Sequence, residues 1–175
     1  MVPDKPAQRQ AHAICDACVL INLALINELR LLGALDDFRF FVPQAAVDEV
    51  LHESQRKEVR IALEKQWLRK ATLDSENEDI LVQELRPLYG AGESACLAIA
   101  QARQWHVVTD ESGALAAEIV RRVGPGRQIG TVAILVQAVR RKLLSVNQAD
   151  AHKAKLEVHK FTMKFRSFAE VQQAE

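Results

Sequence analysis

Nowhere in the chain do uncharged apolar residues run on for the roughly 18 positions that a membrane-spanning helix needs. The first eleven residues, MVPDKPAQRQA, are polar and carry two prolines, so they lack the apolar centre of a secretory signal. A disordered lead-in over residues 1–10, a cytoplasmic location and no membrane partner are therefore expected. Cysteine is scarce as well. Three residues, Cys15, Cys18 and Cys96, are an odd number without an export signal, which argues against a disulfide framework. Internal repeats, low-complexity segments and linkers that would part off a second domain are missing too.

What is present is the balance of one soluble globular domain: 175 residues, 49% hydrophobic and 26% charged. The net charge of zero conceals an asymmetry, because residues 119–175 hold eleven Lys and Arg against four Asp and Glu. An acidic body beside a basic C-terminal third suits an enzyme that gathers carboxylates in one place and holds a polyanion with another. It equally suits ordinary solvated helix faces.

Short apolar runs alternate with helical patterns along the chain. Strands are predicted at residues 13–16, 38–42, 71–73, 105–110 and 128–130. Helices are predicted at 18–32 (ended by Gly33), in two pieces over 44–69, and at 79–88, 93–104 and 112–123. A further helix at 132–142 has Thr131 as its cap, and two more span roughly 147–157 and 161–172. This alternation predicts an α/β, three-layer domain around a short parallel sheet, with extra C-terminal helices.

Binding sites in such sheets collect beyond the carboxyl ends of the strands. Asp16 and Asp110 fall there, although each would also serve to cap the following helix. Glu93, in Gly90-Ala91-Gly92-Glu93, sits at a helix start where an anion is favoured. Glu49, in VPQAAVDEVL, borders an apolar stripe, and Asp48 competes with it for the role. Placed around one pocket with Glu111 as a fifth member, these acids would repel one another unless cations intervened. Hard divalent ions such as Mg²⁺ resolve that, and two of them would activate water against a phosphodiester. The C-x-x-C at Cys15 and Cys18 raises a redox or zinc reading, but no second ligand pair accompanies it and the acids would go unexplained. A phosphoacceptor domain would want a paired acidic start and a later lysine, which are missing.

Four segments carry a resemblance: ICDACVLINLALINELRLLGAL, FVPQAAVDEVL, GAGESACLAIAQARQWHVVTDE and GTVAILVQAVRRKLLS. Over residues 11–145 their order and spacing resemble the PIN-domain superfamily, in particular its VapC-like, toxin-related bacterial and archaeal branch. The resemblance implies a Rossmann-like PIN fold and an endoribonuclease dependent on Mg²⁺ or Mn²⁺. It implies Asp16, Glu49, Glu93 and Asp110 as the acidic site residues, with Asp16, Glu93, Asp110 and Glu111 toward metal. Thr131 falls where the family keeps a small residue near the pocket. The branch commonly acts as the toxin of a toxin–antitoxin pair, forms homodimers and is silenced by a small antitoxin protein.

Departures from the family accompany the match. Ala17 and Cys18 replace the usual hydroxyl residues after the first Asp, and Glu111 follows Asp110 with no basic residue nearby. Arg121, Arg122 or Arg127 would then hold the RNA. The alternative is a weak or inactive PIN scaffold that binds RNA or protein. Residues 146–175 read as a helical extension packed on the domain or on a dimer mate. Phe161, Phe165 and Phe168 form a helical stripe there, with His152 and His159 taken as surface residues.

Overall fold

The computed structural model describes residues 10–172, so the expected lead-in lies outside it except for Gln10. The strands Ala11–Cys15 (β1), Phe38–Pro43 (β2), Arg69–Ala71 (β3), His106–Val108 (β4) and Gln128–Ile129 (β5) form one wholly parallel sheet in the order β3-β2-β1-β4-β5. The helices are Ala17–Leu25 (α1), Leu31–Ala34 (α2), Gln44–Asp48 (α3), Glu53–Glu64 (α4), Glu76–Leu85 (α5), Ala91–Arg103 (α6), Ala114–Arg122 (α7), Thr131–Arg140 (α8), Val146–Val158 (α9) and Phe168–Gln172 (α10). Alternation along the strands sends side chains to opposite faces. Ala13 and Cys15 join one buried cluster with residues of α1, α4 and α8, whereas Ile14 joins a second with residues of α5, α6 and α7. Both faces are covered, as a parallel sheet requires. The result is the three-layer Rossmann-like arrangement expected from the sequence.

Topology positions the site. The chain leaves β1 toward β2 and β3, then crosses back to add β4 on the other side of β1. The carboxyl ends of β1 and β4 therefore flank the switch point, where a crevice opens in folds of this kind.

Several elements depart from expectation. The long helix predicted over 18–32 ends at Leu25 because Asn27 adopts a left-handed φ of 59°, and the chain resumes helical form only at Leu31. Gly33 lies inside α2 instead of ending it. A Cβ there would come 2.3 Å from Trp67 Cδ1, so the glycine admits the indole. α5 starts earlier than predicted because Ser75 Oγ accepts from the Glu78 N–H. The third strand occupies 69–71, not 71–73. Gly130, not Thr131, takes the N-cap position of α8.

At the C-terminal end only residues 168–172 of the predicted last helix are helical, so Phe161, Phe165 and Phe168 form no helical stripe. Phe165 instead meets the Phe168 ring edge to face, with centroids 4.9 Å apart. Phe168 and Met163 enter the same core cluster as Ala149 and Leu156 of α9, and Asp150 fastens Phe168 N–H and Ser167 Oγ at 2.8 and 2.7 Å. His152 is not a free surface residue: it is half-buried with Nε2 3.0 Å from Glu28 Oε1, while His159 is exposed.

Charged side chains also tie the helical layer together. Glu78 is buried, and Arg103 reaches it through Nε and Nη2 at 2.6 and 2.9 Å, while also holding the Thr72 carbonyl and stacking 5.0 Å over Trp105. The Arg103 guanidinium lowers the Glu78 pKa below the ordinary carboxylate range. That stabilisation is complete above about pH 4.5, the ordinary glutamate value, and is lost as pH falls through the depressed folded value. Arg103→Met should cost about 1–3 kcal/mol in urea unfolding near pH 7. The gap from the unmodified chain should narrow as acid protonates Glu78. Phe168→Ala, at a fully buried position, should cost about 3–5 kcal/mol by the same measurement.

Candidate active site

Asp16 follows β1 directly, and its N–H pairs with the Val108 carbonyl of β4 at 2.9 Å, so the backbone pins it at the switch point. It occupies the N-cap position of α1, yet its carboxylate makes no capping bond. Only 4% of the residue is exposed, and Oδ1 is buried without any hydrogen-bond partner. Oδ2 is held by the Cys18 thiol at 3.3 Å and by Thr109 Oγ1 at 3.4 Å. Burial pushes the Asp16 pKa up, the Cys18 bond opposes this, and the charges of Glu49 and Glu93 add to the rise.

Glu49 arrives from the turn after α3. Its Oε1 accepts from the Gly92 N–H at 2.7 Å, at the start of α6. Gly92 is glycine for a steric reason. A Cβ would stand 2.8 Å from Glu49 Oε2, 3.1 Å from Asp16 Oδ1 and 3.1 Å from the Ala46 Cα. The two carboxylates thus face the same small space. Glu93, on the first turn of α6, folds back so that Oε2 accepts from the Gly90 N–H at 2.9 Å. Each acid therefore also serves a helix start.

Asp110 follows β4 and does not cap the helix after it. Its Oδ1 instead accepts from the Thr131 N–H of α8 at 2.7 Å, and its Oδ2 accepts from Thr131 Oγ1 and, at 3.0 Å, from Asn22 Nδ2. Its own N–H donates to Cys18 Sγ at 3.3 Å, so one thiol spans the two aspartates. Glu111 is exposed. Partial desolvation of its carboxylate raises its pKa, and repulsion from Glu93, Asp16 and Asp110 raises it further. The structure thus brings Asp16, Glu49, Glu93 and Asp110 to one edge of the sheet, with Glu111 beside them and Thr131 in direct contact. The carboxylates of Glu49, Glu93 and Asp110 are nonetheless engaged by protein donors, and among the described residues no group of three or more His, Cys, Asp or Glu is disposed to hold a metal ion.

The three arginines lie elsewhere. Arg121 and Arg122 end the nine-residue α7, at the far end from the loop that carries Glu111, and both bond Glu118; Arg122 also reaches Glu84 and, at 3.0 Å, Gln101. Arg127 precedes β5, at the amino end of the strand and on the side of the sheet away from Asp110. Asn22 and Thr109, by contrast, escaped the sequence reading. Asn22 is the only polar residue inside α1 and lies four residues after Cys18, hence on the same helix face. That isolated polarity was the available signal.

The cysteines are all free. Cys15 and Cys96 are buried, with Cys96 Sγ donating to the Cys15 carbonyl. Burial and the neighbouring Asp16 charge push the Cys18 thiol up to about 12, so it stays protonated and acts as a donor, not a nucleophile.

The model of a protein family described as a PIN domain matches residues 12–173, a span that includes α9 and α10. No curated protein and no solved structure matches the chain. Because the Ala46 backbone cannot yield, Gly92→Ala should cost about 1–3 kcal/mol in urea unfolding. A crystal structure of the variant should show Glu49 displaced from the Gly92 N–H.

Proposed function

The chain belongs to the PIN-domain family, and on that footing we propose that it is a metal-dependent endoribonuclease hydrolysing RNA phosphodiester bonds, serving as the toxin of a toxin–antitoxin pair. The observation that carries this reading is the buried Asp16 Oδ1, left without a partner and facing the same space as Glu49. Its pKa is raised by burial and by two further carboxylates. A cation in that space would relieve both the desolvation and the repulsion, and an all-oxygen donor set suits Mg²⁺ or Mn²⁺.

In this reading Asp16, Glu93, Asp110 and Glu111 hold the ion, and Glu49 positions the attacking water. Such an ion, when bound, supplies activation of water and neutralisation of phosphate charge. Cys18 and Thr109 keep Asp16 oriented; Asn22 and Thr131 do the same for Asp110, in the way outer partners orient ligating carboxylates. Residues 11–145 make up the nuclease domain in this reading, and 146–175 its helical extension. Among the described residues no helix is long and apolar enough to cross a membrane. A cytoplasmic homodimer silenced by a small antitoxin completes the proposal.

A second reading, a catalytically weak PIN scaffold, draws on the protein donors that already occupy Glu49, Glu93 and Asp110. The two are separated by experiment. Asp16→Asn should reduce Mg²⁺- or Mn²⁺-dependent cleavage of single-stranded RNA by more than about a hundredfold, with the melting temperature retained. Cleavage unchanged in that variant would sink the nuclease reading. Calorimetry with Mn²⁺ should show uptake that Glu93→Gln abolishes, whereas a scaffold should show none that depends on Glu93.

A further inference from the structure

An open groove of about 410 Å³ begins at Asp48 and Val50, the residues on either side of Glu49, and runs along α4. Its size falls in the range of ligand-binding clefts. Arg56 and Arg60 line it, one helical turn apart and both exposed. Arg56 is fixed in place, because its Nε donates to the Val50 carbonyl at 2.6 Å. That bond leaves the two terminal nitrogens of the guanidinium directed elsewhere, and among the described residues they make no ion pair. Arg60 stands 3.9 Å from Glu53, but both side chains are largely exposed and such a pair is weak. The other acid in the groove, Asp48, has Oδ1 taken by Gln44 Nε2 at 2.8 Å. Val59 and Leu63 give the groove an apolar floor.

We propose that Arg56 and Arg60 are substrate-binding residues, gripping the RNA backbone phosphates next to the bond that is cut. The inference rests on the ribonuclease reading and supplies what it lacks. Four acids around a scissile phosphate repel the substrate, and Arg121 and Arg122 are already engaged by acids on α5 and α7. A guanidinium presenting paired N–H groups is the side chain suited to a phosphate. Two of them at i and i+4 on one helix face reach successive points of an extended strand. The bond from Arg56 to Val50 links the phosphate grip to the turn that carries Glu49, so RNA held by α4 is registered against the acidic cluster. The apolar floor suits the ribose and base faces of a single strand.

The test uses the full chain, a single-stranded oligoribonucleotide, and the variants Arg56→Met, Arg60→Met and Arg56→Lys. Steady-state cleavage with Mn²⁺ should show KM raised about tenfold in the Met variants with kcat within about twofold, the signature of lost ground-state binding. In an Asp16→Asn background, fluorescence anisotropy over a salt series should show the slope of log affinity against log salt reduced by about 0.7 for each arginine removed. Arg56→Lys should restore the salt slope but only part of the affinity, because it keeps the charge and loses the fork. Among the described residues the Arg60 side chain bonds no backbone group, so its variant tests the proposal even if Arg56→Met folds poorly. Unchanged KM and salt slope in Arg60→Met, together with full affinity in Arg56→Lys and cleavage still lost in Asp16→Asn, would overturn this inference alone and leave the groove to an acidic peptide. No RNA binding or cleavage by the unmodified chain would overturn the nuclease reading with it.

Discussion

A carboxylate buried beside other carboxylates is the constraint on which the rest of the structure depends. Asp16 stands at the switch point of the sheet with one oxygen unpaired and with Glu49 and Glu93 near enough to raise its pKa. An isolated buried charge is costly, and one repelled by its neighbours more so. The fold meets this by spending helix starts on it. The N–H groups at Gly90, Gly92 and Thr131 go to Glu93, Glu49 and Asp110 respectively, so backbone dipoles offset part of the repulsion.

Support for these acids comes from α1. Cys18 and Asn22 lie on one face of that helix and both reach across to Asp110 and its surroundings. The Cys18 thiol donates to Asp16 and accepts from the Asp110 N–H, performing from a sulfur the bridging that a hydroxyl could perform. This resolves the C-x-x-C. Cys15 is packed in the core, Cys18 is a protonated link between two acids, and the pair forms no disulfide.

Positive charge is divided between two jobs. Arg103 and Arg122 are consumed in joining α5, α6 and α7, where they neutralise Glu78, Glu84 and Glu118. In the basic C-terminal third, Arg121, Arg122, Arg141 and Lys153 are likewise paired with acids. The arginines of α4, in a segment of no net basic character, are the ones that line a groove next to Glu49. Composition counts charges; only packing distinguishes a neutralised charge from an available one.

How much was legible from the residues follows from the range of the forces involved. Short apolar runs such as HVV, stops such as Pro43, and acids directly after strands are local signals, and they determined the α/β class and the strand-end placing of Asp16 and Asp110. The boundary that failed at residues 26–33 turns on a left-handed Asn27, with Trp67 deciding that Gly33 stays inside a helix, and the one at 161–167 depends on Asp150 holding Ser167 and Phe168. The same distinction holds at the site. Acids separated by tens of residues could be proposed as one group from the sequence, yet their hydrogen bonds, the role of Asn22, the need for glycine at Gly92 and the engagement of Arg122 were decided by tertiary structure. Periodicity is written in neighbouring residues, whereas a hydrogen bond across 88 positions, as between Asn22 and Asp110, exists only once the sheet has brought β1 beside β4.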